Sequence, residues 1–171
     1  MKNKKTTFKL AELFCGPGGL ALGAITSSFS DGNGLSLGIQ SVWANDIDED
    51  TCKTYKRNIH KNNHAKITCS PVEKIDFQKV PDFDALAFGF PCNDFSVVGE
   101  QKGFNGKYGP LYTYGVKAIN THHPKWFIAE NVSGLQSADS GKAFEAILND
   151  LENAGKGYEL TTHLYKFEEY G

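Results

Sequence analysis

Three short stretches of this chain carry residue types that can do chemistry. In Phe14-Cys15-Gly16-Pro17-Gly18-Gly19, a glycine-rich turn follows an apolar run. Such a turn lets the backbone approach a ligand closely and leads into a helix N-terminus. A carboxylate at the end of the next apolar run suits hydrogen bonds from ribose hydroxyls, and Asp46 in Trp43-Ala44-Asn45-Asp46 stands there. The plainer readings are a tight turn and, with Asp48, Glu49 and Asp50 close by, a helix-capping acid. In Gly89-Phe90-Pro91-Cys92-Asn93-Asp94-Phe95-Ser96, a thiol follows an apolar run and is held by a preceding proline. A thiol with a pKa of about 8.5 needs help to ionise, and a lone buried cysteine is more often structural than nucleophilic. In Phe127-Ile128-Ala129-Glu130-Asn131-Val132, an acid closes a hydrophobic run, which is costly unless the carboxyl is paired or working. Asn131-Val132-Ser133 matches a glycosylation sequon, discounted without a secretion signal.

The elements that would hold these residues alternate. Residues 7–14, 39–44, 66–69, 83–89 and 125–130 read as strands, and residues 158–167 as a sixth. Residues 20–28, 48–60 and 111–122 read as helices, the last stopped by Pro124. Ser140 is placed to cap a further helix, with Phe144, Ile147, Leu148 and Leu151 on one stripe and Gly155 ending it. Residues 29–38 are rich in Gly, Ser and Asn and read as a loop, as do residues 99–109 with their four glycines. Alternation of this kind implies an α/β fold with a mostly parallel sheet and helices on both faces. All three chemical stretches then fall at the C-terminal ends of strands, where such sheets bind ligands.

Composition narrows the classes. A chain of 171 residues is one domain's length, and at this size it buries about two thirds of its unfolded surface. With 40% hydrophobic and 22% charged residues it is globular rather than disordered. Eighteen basic against twenty acidic residues give a net charge of −2, so bulk positive charge is not how it would grip nucleic acid. The four cysteines, at 15, 52, 69 and 92, show no zinc-ligand spacing. A reducing, cytoplasmic setting is the simplest expectation. No apolar run is long enough to span a membrane, and the N-terminus has no signal-peptide core.

Taken together, Leu13-Phe14-Cys15-Gly16-Pro17-Gly18-Gly19-Leu20, Gly89-Phe90-Pro91-Cys92 and Glu130-Asn131-Val132 resemble the DNA (cytosine-5-)-methyltransferase family in order and spacing. The likeness runs over essentially the whole chain. It implies a Rossmann-like S-adenosylmethionine-dependent methyltransferase fold, and S-adenosyl-L-methionine as methyl donor. Phe14, Gly18, Pro91 and Leu111 would line the donor's pocket, with Gly16 and Gly19 in the loop facing its methionine part. Asp46 would hold the ribose and Ile47 would lie against the adenine. The resemblance implies that Cys92 attacks carbon 6 of cytosine and that Glu130 holds or protonates ring nitrogen 3, making carbon 5 nucleophilic. The base must leave the stack for this, so the implied partner is double-stranded DNA with a flipped cytosine. Residues 99–109 fit a loop closing over that base. A place in a restriction-modification system is expected.

Four departures from the family pattern stand out. Pro71 falls where an adenine-contacting Asp is common, Asn93 replaces a Gln, and residues 30–38 make a longer loop. The sequence stops at Gly171, before the family's seventh strand, target-recognition domain and C-terminal motifs. Residues 1–171 thus read as a partial catalytic domain, either truncated or one subunit awaiting a complementary C-terminal polypeptide. The strand at residues 125–130 is expected to have an open edge. Methylation of RNA is disfavoured by Ser96, where tRNA-acting members tend to have Thr. A nicotinamide-dependent dehydrogenase would share the glycine turn and Asp46 but leave Cys92 and Glu130 unexplained.

Overall fold

The computed structural model describes residues 4–60, 66–91 and 111–170. The sheet has strands β1 (Lys4–Leu13), β2 (Ser28–Ser30), β3 (Leu35–Asp46), β4 (Lys66–Cys69), β5 (Ala85–Gly89) and β6 (Trp126–Glu130). Among the described residues four α-helices accompany it: α1 (Gly19–Thr26), α2 (Glu49–Ile59), α3 (Tyr112–His122) and α4 (Lys142–Glu152). The strand order is β2-β3-β1-β5-β6, with β4 alongside the C-terminal half of β3. The β2–β3 pairing is antiparallel; β1–β3, β3–β4, β1–β5 and β5–β6 are parallel. This is the Rossmann-like, mostly parallel arrangement expected of the alternating pattern.

Parallel strands are buried on both faces, and the alternation along β1 shows how. Leu10 packs with Ala85, Ala87 and the α1 residue Ala24 on one face. Ala11 and Leu13 pack with Leu86, Phe88, Ile119 of α3, and Ile147 and Leu151 of α4 on the other. α3 lies so close to β5 that a Cβ at Gly115 would stand 2.4 Å from the Phe88 ring. α2 begins with Asp48, which accepts a hydrogen bond from the Thr51 N–H at 2.7 Å, and it buries Cys52, Tyr55 and Ile59 along one stripe. The N-terminal ends of the strands are tied by Asp84, which accepts from the Lys9 N–H and pairs with the Lys125 ammonium.

The chain runs from β1 to β3 on one side and from β5 to β6 on the other. β1 and β5 are therefore adjacent strands whose following helices cover opposite faces. The crevice outside their C-terminal ends is where ligands bind in such sheets.

Three expectations are corrected. Residues 29–38 are not a plain loop: Ser28–Ser30 pairs with residues 36–38 of a lengthened β3 as a hairpin. Its turn is drawn tight by Asp31, whose carboxylate accepts from the N–H groups of Asn33 and Leu35. Ser140 does not cap α4. It lies in left-handed backbone at φ 55, and Gly141, at φ 87, is the capping residue. Residues 158–167 form no strand. Tyr158 donates to the Pro124 carbonyl and sets its ring 5.0 Å from Phe127, while residues 161–166 are exposed. A strand needs a neighbour to take its backbone hydrogen bonds, and among the described residues none lies beside this segment. Among the described residues β6 is correspondingly an edge of the sheet, as expected, with Ile128 49% exposed.

Candidate functional site

The glycine turn starts where β1 ends. Phe14 takes a positive φ of 53, Gly16 one of 54 and Gly18 one of 99, so the chain reverses sharply before α1. Gly18 has a second reason to lack a side chain. A Cβ there would stand 2.7 Å from the Ile59 Cγ1 and 3.1 Å from the Tyr55 ring. A Cβ at Gly16 or Gly19 would meet nothing within 4 Å, so those two face open space. The turn is fixed to β3 by Cys15, whose N–H donates to the Asn45 carbonyl at 3.0 Å.

Asp46 closes β3 and acts on the turn directly. One carboxylate oxygen accepts from the Gly16 N–H at 2.9 Å, and the other from the Asp48 N–H at 3.0 Å. Each oxygen retains acceptor capacity. Ile47, next to it, is 68% exposed, an apolar side chain held out beside an anchored carboxylate. Asn45 ties in β4 by donating to the carbonyls of Thr68 and Ser70. Pro71 follows, half-buried, at the start of a single helical turn.

On the other side of β1, β5 ends at Gly89, which is in register with Glu130 at the end of β6. An added Cβ at Gly89 would come to 3.0 Å from the Glu130 Oε2, so the carboxylate leans over the end of β5. Glu130 itself is exposed. Asn131 donates to the Phe90 carbonyl at 3.0 Å and joins the two strand exits. Pro91 is half-buried after β5, and Leu111 is half-buried at the start of α3. Cys92 and the 99–109 loop lie outside the described residues.

Phe14, Gly16, Gly18, Gly19, Asp46, Ile47, Pro91 and Glu130 thus stand at the same, C-terminal edge of the sheet, at the exits of β1, β3, β5 and β6. Beneath the turn lies a polar group that sequence reasoning missed. Glu12 is only 1% exposed. Its Oε2 accepts the Tyr55 hydroxyl, which in turn accepts from Ser41 at 3.1 Å, while Oε1 is buried without a hydrogen-bond partner. Burial pushes the Glu12 carboxyl up to about 7, against the pull of the Tyr55 hydroxyl. The signal was an acid inside an apolar run, the same signal that drew attention to Glu130.

The sequence profile of the C-5 cytosine-specific DNA methylases matches residues 8–171. The chain belongs to that family. Among similar members is the Type II methyltransferase M.BbvI of Brevibacillus brevis, 54% identical over 170 residues, covering 96% of this chain and 46% of the relative. Type II methyltransferase M1.ScrFI of Lactococcus lactis subsp. cremoris is 37% identical over 171 residues, covering 99% and 40%. This C-5 cytosine methylase chain therefore spans less than half the length of those relatives. The Dnmt2 methyltransferase from S. pombe shares the fold with a TM-score of 0.54 at 18% identity, over 84% of this chain and 42% of that one. Among the described residues, no helix of this family member is long and apolar enough to cross a membrane, and no cluster suited to a metal ion occurs.

Proposed function

We propose that this chain carries the cofactor-binding and catalytic part of a Type II DNA C-5 cytosine methyltransferase. The observation that carries the reading is the placement of Glu130 over Gly89, at the sheet edge that also holds the Asp46-anchored glycine turn. The site suits S-adenosyl-L-methionine: Gly16 and Gly19 leave open space, Asp46 offers acceptors to ribose hydroxyls, and Ile47 offers an apolar face to adenine. Phe14, Gly18, Pro91 and Leu111 complete the pocket. When bound, the cofactor supplies an electrophilic methyl group.

The protein's own part is to make cytosine nucleophilic. Cys92, as thiolate, adds to carbon 6 of a cytosine flipped out of double-stranded DNA. Negative charge then moves toward ring nitrogen 3, where Glu130 holds a proton and neutralises it. Carbon 5 becomes enamine-like and takes the methyl group. A base next removes the carbon 5 proton, and expulsion of the Cys92 sulfur restores the aromatic ring. The Type II relatives support a role for such an enzyme in a restriction-modification system, acting on DNA in the cytoplasm.

The uncovered edge of β6 and the exposed residues 161–166 favour a further reading: the fold is completed by a complementary C-terminal polypeptide that pairs there and reads the DNA. The test is covalent trapping on duplex DNA containing 5-fluorocytosine, with the chain alone and with a polypeptide supplying the rest of the relatives' length. The expected outcome is an adduct in the completed assembly that vanishes on Cys92→Ser. Trapping that survives the substitution assigns the wrong sulfur. In the same assembly, Asp46→Ala should weaken S-adenosylhomocysteine binding by roughly tenfold, read by calorimetry, as an anchored acceptor and its two backbone ties are lost.

A further inference from the structure

A second chemical feature lies at the ends of β3 and β4. Cys69 closes β4 in register with Asp46, and Cys52 sits near the start of α2. The Cys52 thiol donates to the Asp46 carbonyl at 3.7 Å, and the Cys69 thiol to the Ile47 carbonyl at 3.8 Å. The two sulfurs thus hang from consecutive peptide carbonyls of one turn. Cys52 is buried and Cys69 is exposed, and neither is in a disulfide. Burial first, and then the neighbouring Cys69 thiol, push the Cys52 thiol up to about 12.

We propose that Cys52 and Cys69 are a redox modification site, closed to an intramolecular disulfide by low-molecular-weight disulfides, and that the bridge clamps α2 to β4 across the turn bearing Asp46 and Ile47. The exposed Cys69 reacts first: its thiolate displaces one thiol from the small disulfide and forms a mixed disulfide. The Cys52 sulfur then attacks the Cys69 sulfur and displaces the second small thiol. Both cysteine protons leave on the two released thiols, the protein sulfurs are oxidised, and the small disulfide is reduced. Cys15 does not compete, because burial, followed by the charges of Asp46 and Glu12, holds its thiol protonated. Because Cys52 also ionises reluctantly, ring closure is the slow step and accelerates as pH rises. Closure removes both thiol protons from the carbonyls of Asp46 and Ile47. Its consequence for ligand binding rests on the cofactor reading above.

The experiment uses the full chain carrying Cys92→Ser, incubated with oxidised glutathione and mapped by differential alkylation and mass spectrometry. The expected product is a Cys52–Cys69 cross-linked peptide, reversed by dithiothreitol. It should be absent from the Cys69→Ser variant, in which Cys52 stays reduced. A mixed glutathione adduct that persists on Cys69 with Cys52 free overturns the pair. So does an unmodified Cys69. S-adenosylhomocysteine titrated into the bridged chain should bind roughly fivefold more weakly than into the reduced chain. A bridge that leaves affinity unchanged overturns the clamp. A reduced chain that binds no S-adenosylhomocysteine overturns the cofactor reading instead, and the peptide map still decides the thiol pair.

Discussion

At the scale of single residues, the most consequential side chain is one with no proposed chemical role. Glu12 is an acid on the underside of the glycine turn, tied to Tyr55 and through it to Ser41. Its carboxyl rises from its ordinary value of 4.5 to about 7 because burial disfavours the charged form. The folded state therefore prefers the protonated acid. That preference contributes fully below about pH 4.5, the unfolded value, and is lost as pH climbs through about 7. A shift of this size corresponds to about 3 kcal/mol. The Tm of the wild-type chain should fall across this window, and Glu12→Gln, which cannot ionise, should flatten the profile. A variant that keeps the wild-type slope would place the titration elsewhere. Of the candidate site residues, Asp46 and Glu130 were legible because each closes an apolar run at a strand exit. The tie from Gly16 to Asp46 was not, because it spans thirty residues and depends on how β1 and β3 register.

Elements were legible where a cap or an apolar stripe was clear. The acidic start of α2, with Asp48 as cap, and the Phe144-Ile147-Leu151 stripe of α4 announce helices by local chemistry alone. The hairpin of β2 and β3 was hidden because Gly, Ser and Asn suit a turn and also tolerate a short exposed ladder. The segment after Tyr158 failed differently. Its alternation suits a strand, but strands are made by neighbours. The turn between β1 and α1 offers the sharpest test of an element. Gly18→Ala must adopt a φ near 99 and push against Ile59 and Tyr55. It should cost about 2 kcal/mol or more in chemical denaturation. Gly19→Ala, which meets open space, should leave the unfolding midpoint nearly unchanged. Equal losses at the two positions would mean that the close approach of α2 is not what excludes a side chain at Gly18.

At the scale of the whole molecule, the sheet is asymmetric. Its β2 side is covered by a hairpin, whereas β6 has no strand partner beyond β5 among the described residues, beside the exposed Ile128. Such an edge invites pairing with another chain. Sedimentation of the isolated chain should show concentration-dependent association, reduced by Ile128→Lys, which places a charge on the edge strand. A monodisperse chain at all concentrations would show that the edge is protected.

The bare rim of β6 also sets an order of events. Its donors and acceptors acquire their spacing only once β6 has zipped onto β5, so it becomes a template after this part has folded and not before. Any polypeptide that pairs with this rim arrives as a latecomer. Under the completion proposed above, assembly has a waiting step, during which a second copy of the chain competes with the incoming strand.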